Sequence, residues 1–179
     1  MNSLPIIDIA PLYSEEPLAW KSVADKIDNA CREWGFFYIK GHPISASRID
    51  AVLNHAQRFF ALPAEEKLEI DITQTHHHRG YGAIATAQLD TNKPSDLKET
   101  FDMGFHLPAD HPDVLAEKPL RGPNRHPSVA GWETLMEQHY VDMQALAQTL
   151  LRAMTLALNI ERDFFDKRFN EPVSVLRMI

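Results

Sequence analysis

Four places in the chain carry side chains able to do chemistry, and each also has a plainer reading. His76, His77 and His78 are consecutive, and histidine-rich tracts of this kind bind Ni, Zn or Cu. Adjacent residues cannot all face one tetrahedral centre on an ordinary backbone. The nearest carboxylate, Asp71, is five positions back and no cysteine is close, so solvated loop histidines are the expectation. His111-Pro112-Asp113 sets an imidazole and a carboxylate two positions apart, two of the three groups of a two-histidine, one-carboxylate iron site. It stands in a proline-rich stretch, and its candidate third ligands, His126 and His139, fall in that stretch and on the helix after it. A metal site needs rigid outer support, so the triplet reads as a decoy. Arg79 and Tyr81, in HHHRGYG, offer a planar guanidinium fork and a phenol, together suited to a substrate carboxylate. Two readings of them stand: binding residues on a loop over a rigid scaffold, or a turn shaped by Gly80 and Gly82 with Arg79 solvated. Cys31 falls on the apolar stripe of a helix and reads as a buried, inert thiol. His42 reads as a turn residue making local hydrogen bonds, and Arg177 as the partner of a carboxylate.

The elements around these residues follow from periodicity and punctuation. Residues 5–8, Pro-Ile-Ile-Asp, suit a short strand where proline is tolerated. Ser14 to Pro17 starts a helix in which Trp20, Val23, Ile27, Cys31 and Trp34 recur every three or four positions, and Gly35 ends it. Residues 36–40 are apolar on both faces, as in a buried strand. Ile49, Val52, Ala56 and Phe59 form the inner face of a second helix, and Pro63 with two acids opens a third. Residues 71–98 show little periodicity, 99–105 suit a strand, and 107–127 hold five prolines and read as a long loop. Trp132, Leu135, Met136, Tyr140, Met143, Ala147, Leu150, Met154 and Leu158 trace one long helix. Residues 172–179 alternate as a strand within which the sequence stops, so the chain reads as cut.

Composition narrows the function classes. With 44% hydrophobic and 24% charged residues, the chain has a soluble globular make-up. A net charge of −7 without basic clusters argues against nucleic-acid and anionic-membrane partners. The single cysteine forbids an internal disulfide and suits a reducing compartment. No basic, apolar leader opens the chain, and no run of about 18 apolar residues occurs, so a cytoplasmic location is expected.

Three stretches in order, LPIIDIAPL, ACREWGFFYIKGHPI and FFALPAEEK, resemble the N-terminal region of the isopenicillin-N-synthase-like 2-oxoglutarate/Fe(II)-dependent oxygenases. RGYG at 79–82, KETFDMG at 98–104, DHP at 110–112 and the terminal VSVLRMI agree, so the resemblance covers essentially all 179 residues. It implies an α+β fold, with long helices packed on part of a jelly-roll (double-stranded β-helix) sheet whose barrel is incomplete in this chain. Residues 1–179 would be the N-terminal domain, ending at the first strand leading into the catalytic barrel. The implied activity is hydroxylation or desaturation of a small molecule, with Fe(II) and 2-oxoglutarate as cofactors of the intact parent and none bound by this chain alone. The family's HxD…H iron ligands and its Arg-x-Ser pair would lie beyond Ile179, so no catalytic or metal residue is assigned here. The family's arginine-then-tyrosine turn lies over the active-site mouth, which implies substrate binding for Arg79 and Tyr81, though RGY replaces a slightly longer stretch. Trp34, Phe36 and Phe37 are then packing residues. The alternative is a non-catalytic, truncated product that oligomerises or binds a partner through unpaired strand edges. A metal-binding protein built on the three consecutive histidines is a third reading.

Overall fold

The computed structural model describes residues 3–84 and 96–179. The chain forms two compact units: Met1–Ser45 with Val141–Asn170, and Ala46–Tyr140 with Glu171–Ile179. In the first, β1 (Ile6–Asp8) pairs in parallel with β2 (Tyr38–Lys40), Ile7 opposite Ile39. Parallel neighbours need a crossover, and α1 (Pro17–Glu33) supplies it. Pro17 takes the first helical turn, where its missing N–H costs nothing. Trp20, Val23, Ala24, Ile27 and Ala30 form its buried stripe. That stripe packs with Ile7, Ile9, Leu12 and the later turns of α5 (Trp132–Ala157) through Leu146 and Ala153. Each of the Val, Leu and Ile side chains among them contributes about 1.5–3 kcal/mol by leaving water.

Two expectations for this unit fail. Phe36 is 58% and Tyr38 61% exposed, Trp34 is half-buried, and only Phe37 and Ile39 reach toward the core. A two-stranded sheet covered on one face buries alternate residues, so 36, 38 and 40 point outward. Cys31 is exposed, because Ile27 and Ala30 fill the inner face and the stripe drifts past position 31 at the helix end.

The second unit holds α2 (Ala46–Phe60), α3 (Ala64–Leu68), the single-turn α4 (Pro112–Leu115) and the first turns of α5. Its sheet is β3 (Gly80–Gly82), β4 (Thr100–Gly104) and β5 (Val175–Met178), antiparallel in that order. Tyr81 lies opposite Phe101, and Asp102 opposite Arg177. Phe59, Phe101 and Trp132 are fully buried, with ring centroids 4.9–5.6 Å apart in tilted and edge-on pairs, the arrangement aromatic quadrupoles favour. β3 and α4 lie where irregular chain was expected. β3 exists because β4 offers it a ladder and because Gly80 (φ 114°) lets the backbone approach: a Cβ there would sit 2.1 Å from the Ile70 carbonyl oxygen. The fold is thus mixed helix and sheet, and among the described residues neither sheet closes on itself into a barrel. No described helix is long and apolar enough to cross a membrane.

Candidate functional site

β3 and its lead-in place Arg79 and Tyr81 on either side of Gly80, and both side chains are buried, at 1% and 4% exposure. The Tyr81 hydroxyl donates to Glu99 Oε2 at 2.7 Å. The same oxygen accepts from Lys67 Nζ at 2.6 Å. Lys67 is itself buried; it donates to the Phe60 carbonyl at 3.0 Å and stands 5.3 Å from the centre of the Tyr81 ring. Burial and the Glu99 carboxylate push the Tyr81 phenol up to about 12, so it stays neutral with its proton committed to Glu99. Burial alone would raise the Glu99 carboxyl, but the hydrogen bonds from Lys67 and Tyr81 prevail and hold it below its ordinary value.

Arg79 is held differently. Nη1 donates to the carbonyls of His77 and His78 at 3.3 and 3.4 Å, and Nη2 to that of Leu120 at 3.0 Å. Nε has no partner. Burial lowers the guanidinium pKa, and the fields of Tyr140 and Asp102 oppose that shift. Gly104 leaves the room the fork occupies. Beside it, Asp102 accepts a bidentate pair from Arg177 at 2.7 and 2.6 Å, the carboxylate partner expected for that arginine. Asn124 accepts from the Gly104 N–H at 2.9 Å and donates to the Gly104 carbonyl at 2.8 Å and to Glu137 at 2.9 Å. Glu137 also meets His126 Nε2 at 2.9 Å. Burial favours its neutral form, but these hydrogen bonds outweigh that and depress its pKa.

The three consecutive histidines split. His76 and His78 are exposed, whereas His77 is buried against Gly122 with neither ring nitrogen in hydrogen-bond geometry. The solvated reading therefore fails at His77. Burial first, then the neighbouring His76, Arg79 and Arg125, lower its pKa, opposed only by the Pro123 carbonyl.

His111 Nδ1 accepts the Asp113 N–H at 3.2 Å and caps α4. The Asp113 carboxylate is taken by Lys118 at 2.6 Å and Arg121 at 3.8 Å. Among the described residues no group of three His, Cys, Asp or Glu side chains is arranged to hold a metal. The donor set among the described residues does not fit an iron centre. The network's other members, Lys67, Glu99, Asp102, Asn124 and Glu137, were not singled out in the sequence. Their only signal was membership of the resembling stretches FFALPAEEK and KETFDMG, which hold Lys67, Glu99 and Asp102.

Residues 4–129 match the family described as "non-haem dioxygenase in morphine synthesis N-terminal". The 2-oxoglutarate-Fe(II) type oxidoreductase hxnY of Emericella nidulans is 33% identical over 180 residues, 98% of this chain and 51% of that protein. A homoarginine-6-hydroxylase of Arabidopsis thaliana is 35% identical over 189 residues, again 98% of this chain and 51% of that protein. A solved structure from Caulobacter crescentus, described as a 2OG-Fe(II) oxygenase family protein, superposes with a TM-score of 0.80 at 24% identity. It covers 99% of this chain and 55% of that one. This chain spans about half the length of the relatives it matches. With two-thirds of its residues matched to that family, the chain belongs to the N-terminal region of the 2-oxoglutarate/Fe(II)-dependent non-haem oxygenases.

Proposed function

We propose that this chain is the N-terminal half of a non-haem Fe(II), 2-oxoglutarate-dependent oxygenase that hydroxylates or desaturates a small molecule in the cytoplasm. Its part is to supply scaffold helices and one wall of the substrate pocket. The observation that carries this reading is the match of nearly the whole chain to about half of each oxygenase relative. In this reading β3, β4 and β5 belong to a jelly-roll sheet completed by the rest of the parent. The iron ligands and the groups that hold 2-oxoglutarate lie there too, and this chain alone binds neither.

Arg79 and Tyr81 are the substrate-facing residues of that wall. One detail supports the assignment: the Tyr81 oxygen, having donated to Glu99, keeps its lone pairs as acceptors. The test takes the native protein from its own cells. Its intact mass should lie well above 20.4 kDa, and it should form succinate from 2-oxoglutarate and bind Fe(II), whereas the isolated 179-residue chain does neither. A native mass of 20.4 kDa, or one tight iron per 179-residue chain, overturns the reading.

A second reading, self-association as a binding module, is favoured by one observation. Both sheets are open: β1, β2 and β5 each keep an edge that no other strand covers among the described residues, whereas the outer edge of β3 is met by the Ile70–Asp71 backbone. Open edges recruit further strands.

A further inference from the structure

The first unit carries a groove of about 290 Å3 between the free side of β1 and the last turns of α1. Pro5 and Ile6 form its strand wall, Lys26, Asn29 and Glu33 its helix wall, and Trp34 closes it. Ile6 is 65% exposed. The charges on α1 divide sharply. Lys21 pairs with Asp25 and Arg32 with Asp28, both at four-residue spacing. Lys26 and Glu33 make no ion pair among the described residues, and both are exposed. They are opposite in sign, lie seven residues apart on one stripe, and so stand about 10 Å apart along the helix with Asn29 near the midpoint. The two charges left over on this helix are therefore the two that flank the groove.

We propose that this groove is the contact surface of a two-fold dimer of the chain. An axis passing beside Asn29 runs α1 antiparallel to its copy and sets each Lys26 against the other protomer's Glu33. The same axis pairs the open edges of β1 antiparallel. An isologous interface must be self-complementary, with residue i meeting j and j meeting i. A stripe ending in Lys and in Glu meets that condition in the antiparallel sense and opposes it in the parallel one. Ile6 and Trp34 supply apolar area along the groove, and strand addition supplies backbone hydrogen bonds. The inference rests on the self-association reading and is independent of the oxygenase one.

The test is sedimentation equilibrium of the 179-residue chain over a wide concentration range, with circular dichroism to confirm the fold of each variant. A monomer–dimer equilibrium is expected. Lys26→Glu or Glu33→Lys alone should raise the dissociation constant by about tenfold, since symmetry turns two attractions into two repulsions. The double variant Lys26→Glu with Glu33→Lys should restore dimerisation to near the original value. A chain that stays monomeric throughout overturns both the interface and self-association. A dimer indifferent to the single variants, or not restored by the double one, overturns this interface alone and leaves self-association to another edge.

Discussion

Adding one methyl group at Gly104 tests whether the buried Arg79 fork is as tightly placed as its geometry indicates. The backbone there needs no positive φ, so alanine is tolerated by conformation. Space is the obstacle: a Cβ would lie 2.2 Å from Arg79 Nη2, 2.5 Å from its Cζ and 2.8 Å from the Ser174 carbonyl oxygen. The guanidinium must retreat by about 1 Å or more to restore van der Waals separation, yet it is 1% exposed and held by three carbonyls. Overpacking costs about 1–3 kcal/mol. Weakening the 3.0 Å bond to Leu120, a hydrogen bond from a charged donor, adds about 1.5–3 kcal/mol. Gly104→Ala should therefore destabilise the fold by about 3–5 kcal/mol.

The assay is urea denaturation at neutral pH followed by tryptophan fluorescence, because Trp132 is fully buried in the same unit. Arg79→Met removes the clashing fork, so on that background Gly104→Ala should cost only about 1 kcal/mol, from the Ser174 contact. The coupling energy of that double-mutant cycle is then about 2 kcal/mol or more, as expected of residues in direct contact. Equal costs on the two backgrounds, or a cost below about 1 kcal/mol in the natural chain, refute the packing argument.

Three further outcomes are expected. In a spectrophotometric titration, one of the four tyrosines should ionise at about 12 and vanish in Tyr81→Phe. Because that pKa is raised in the folded chain, the stability it represents is full below the ordinary value near 10 and is lost as pH climbs toward 12, which denaturation at rising pH reads directly. Arg177→Met leaves Asp102, 4% exposed at its side chain, as an unpaired carboxylate and should cost about 2–4 kcal/mol. Asp102→Asn with Arg177→Met should cost clearly less, and a double variant as unstable as the single refutes a role for the ion pair. Burial lowers the His77 pKa in the fold, so as pH falls through about 6.5 the unfolded chain takes up the proton first and stability drops. His77→Leu should change stability by less than about 1 kcal/mol at pH 7, since no hydrogen bond is lost, and should flatten the drop toward pH 5 in thermal melts.

Much of the framework was legible because its signals are local. The stripe through Trp20, Val23 and Ile27, the Val52 and Phe59 face, and the run beginning at Trp132 and Met136 each declare a helix at 3.6-residue spacing. β1, β4 and β5 declare themselves by alternation or by short apolar runs. β3 did not, since three residues with two glycines carry no period, and its ladder comes from β4, some twenty positions later. The exposure of Phe36 and Tyr38 was likewise hidden. An apolar run says that a strand forms, but not whether one or both faces of its sheet are covered. The network around Tyr81 depends on register: Glu99 is 18 positions from Tyr81 and 32 from Lys67. No spacing rule reaches across such gaps.

The His111-Pro112-Asp113 triplet shows why spacing alone does not make a metal site. On a strand, positions i and i+2 point to one face, so a histidine and an aspartate two apart converge on one ion. At the start of a helix the same spacing puts the first side chain over the N–H of the third residue, and there His111 spends its Nδ1 on Asp113. The carboxylate that a metal would need is turned to Lys118 and Arg121, five and eight residues further along. What separates a ligand pair from a cap is the element that carries it. Pro112 takes the first helical turn of α4 and suits that position by its fixed φ; read as one more proline of a loop, it was the signal that could have marked the cap.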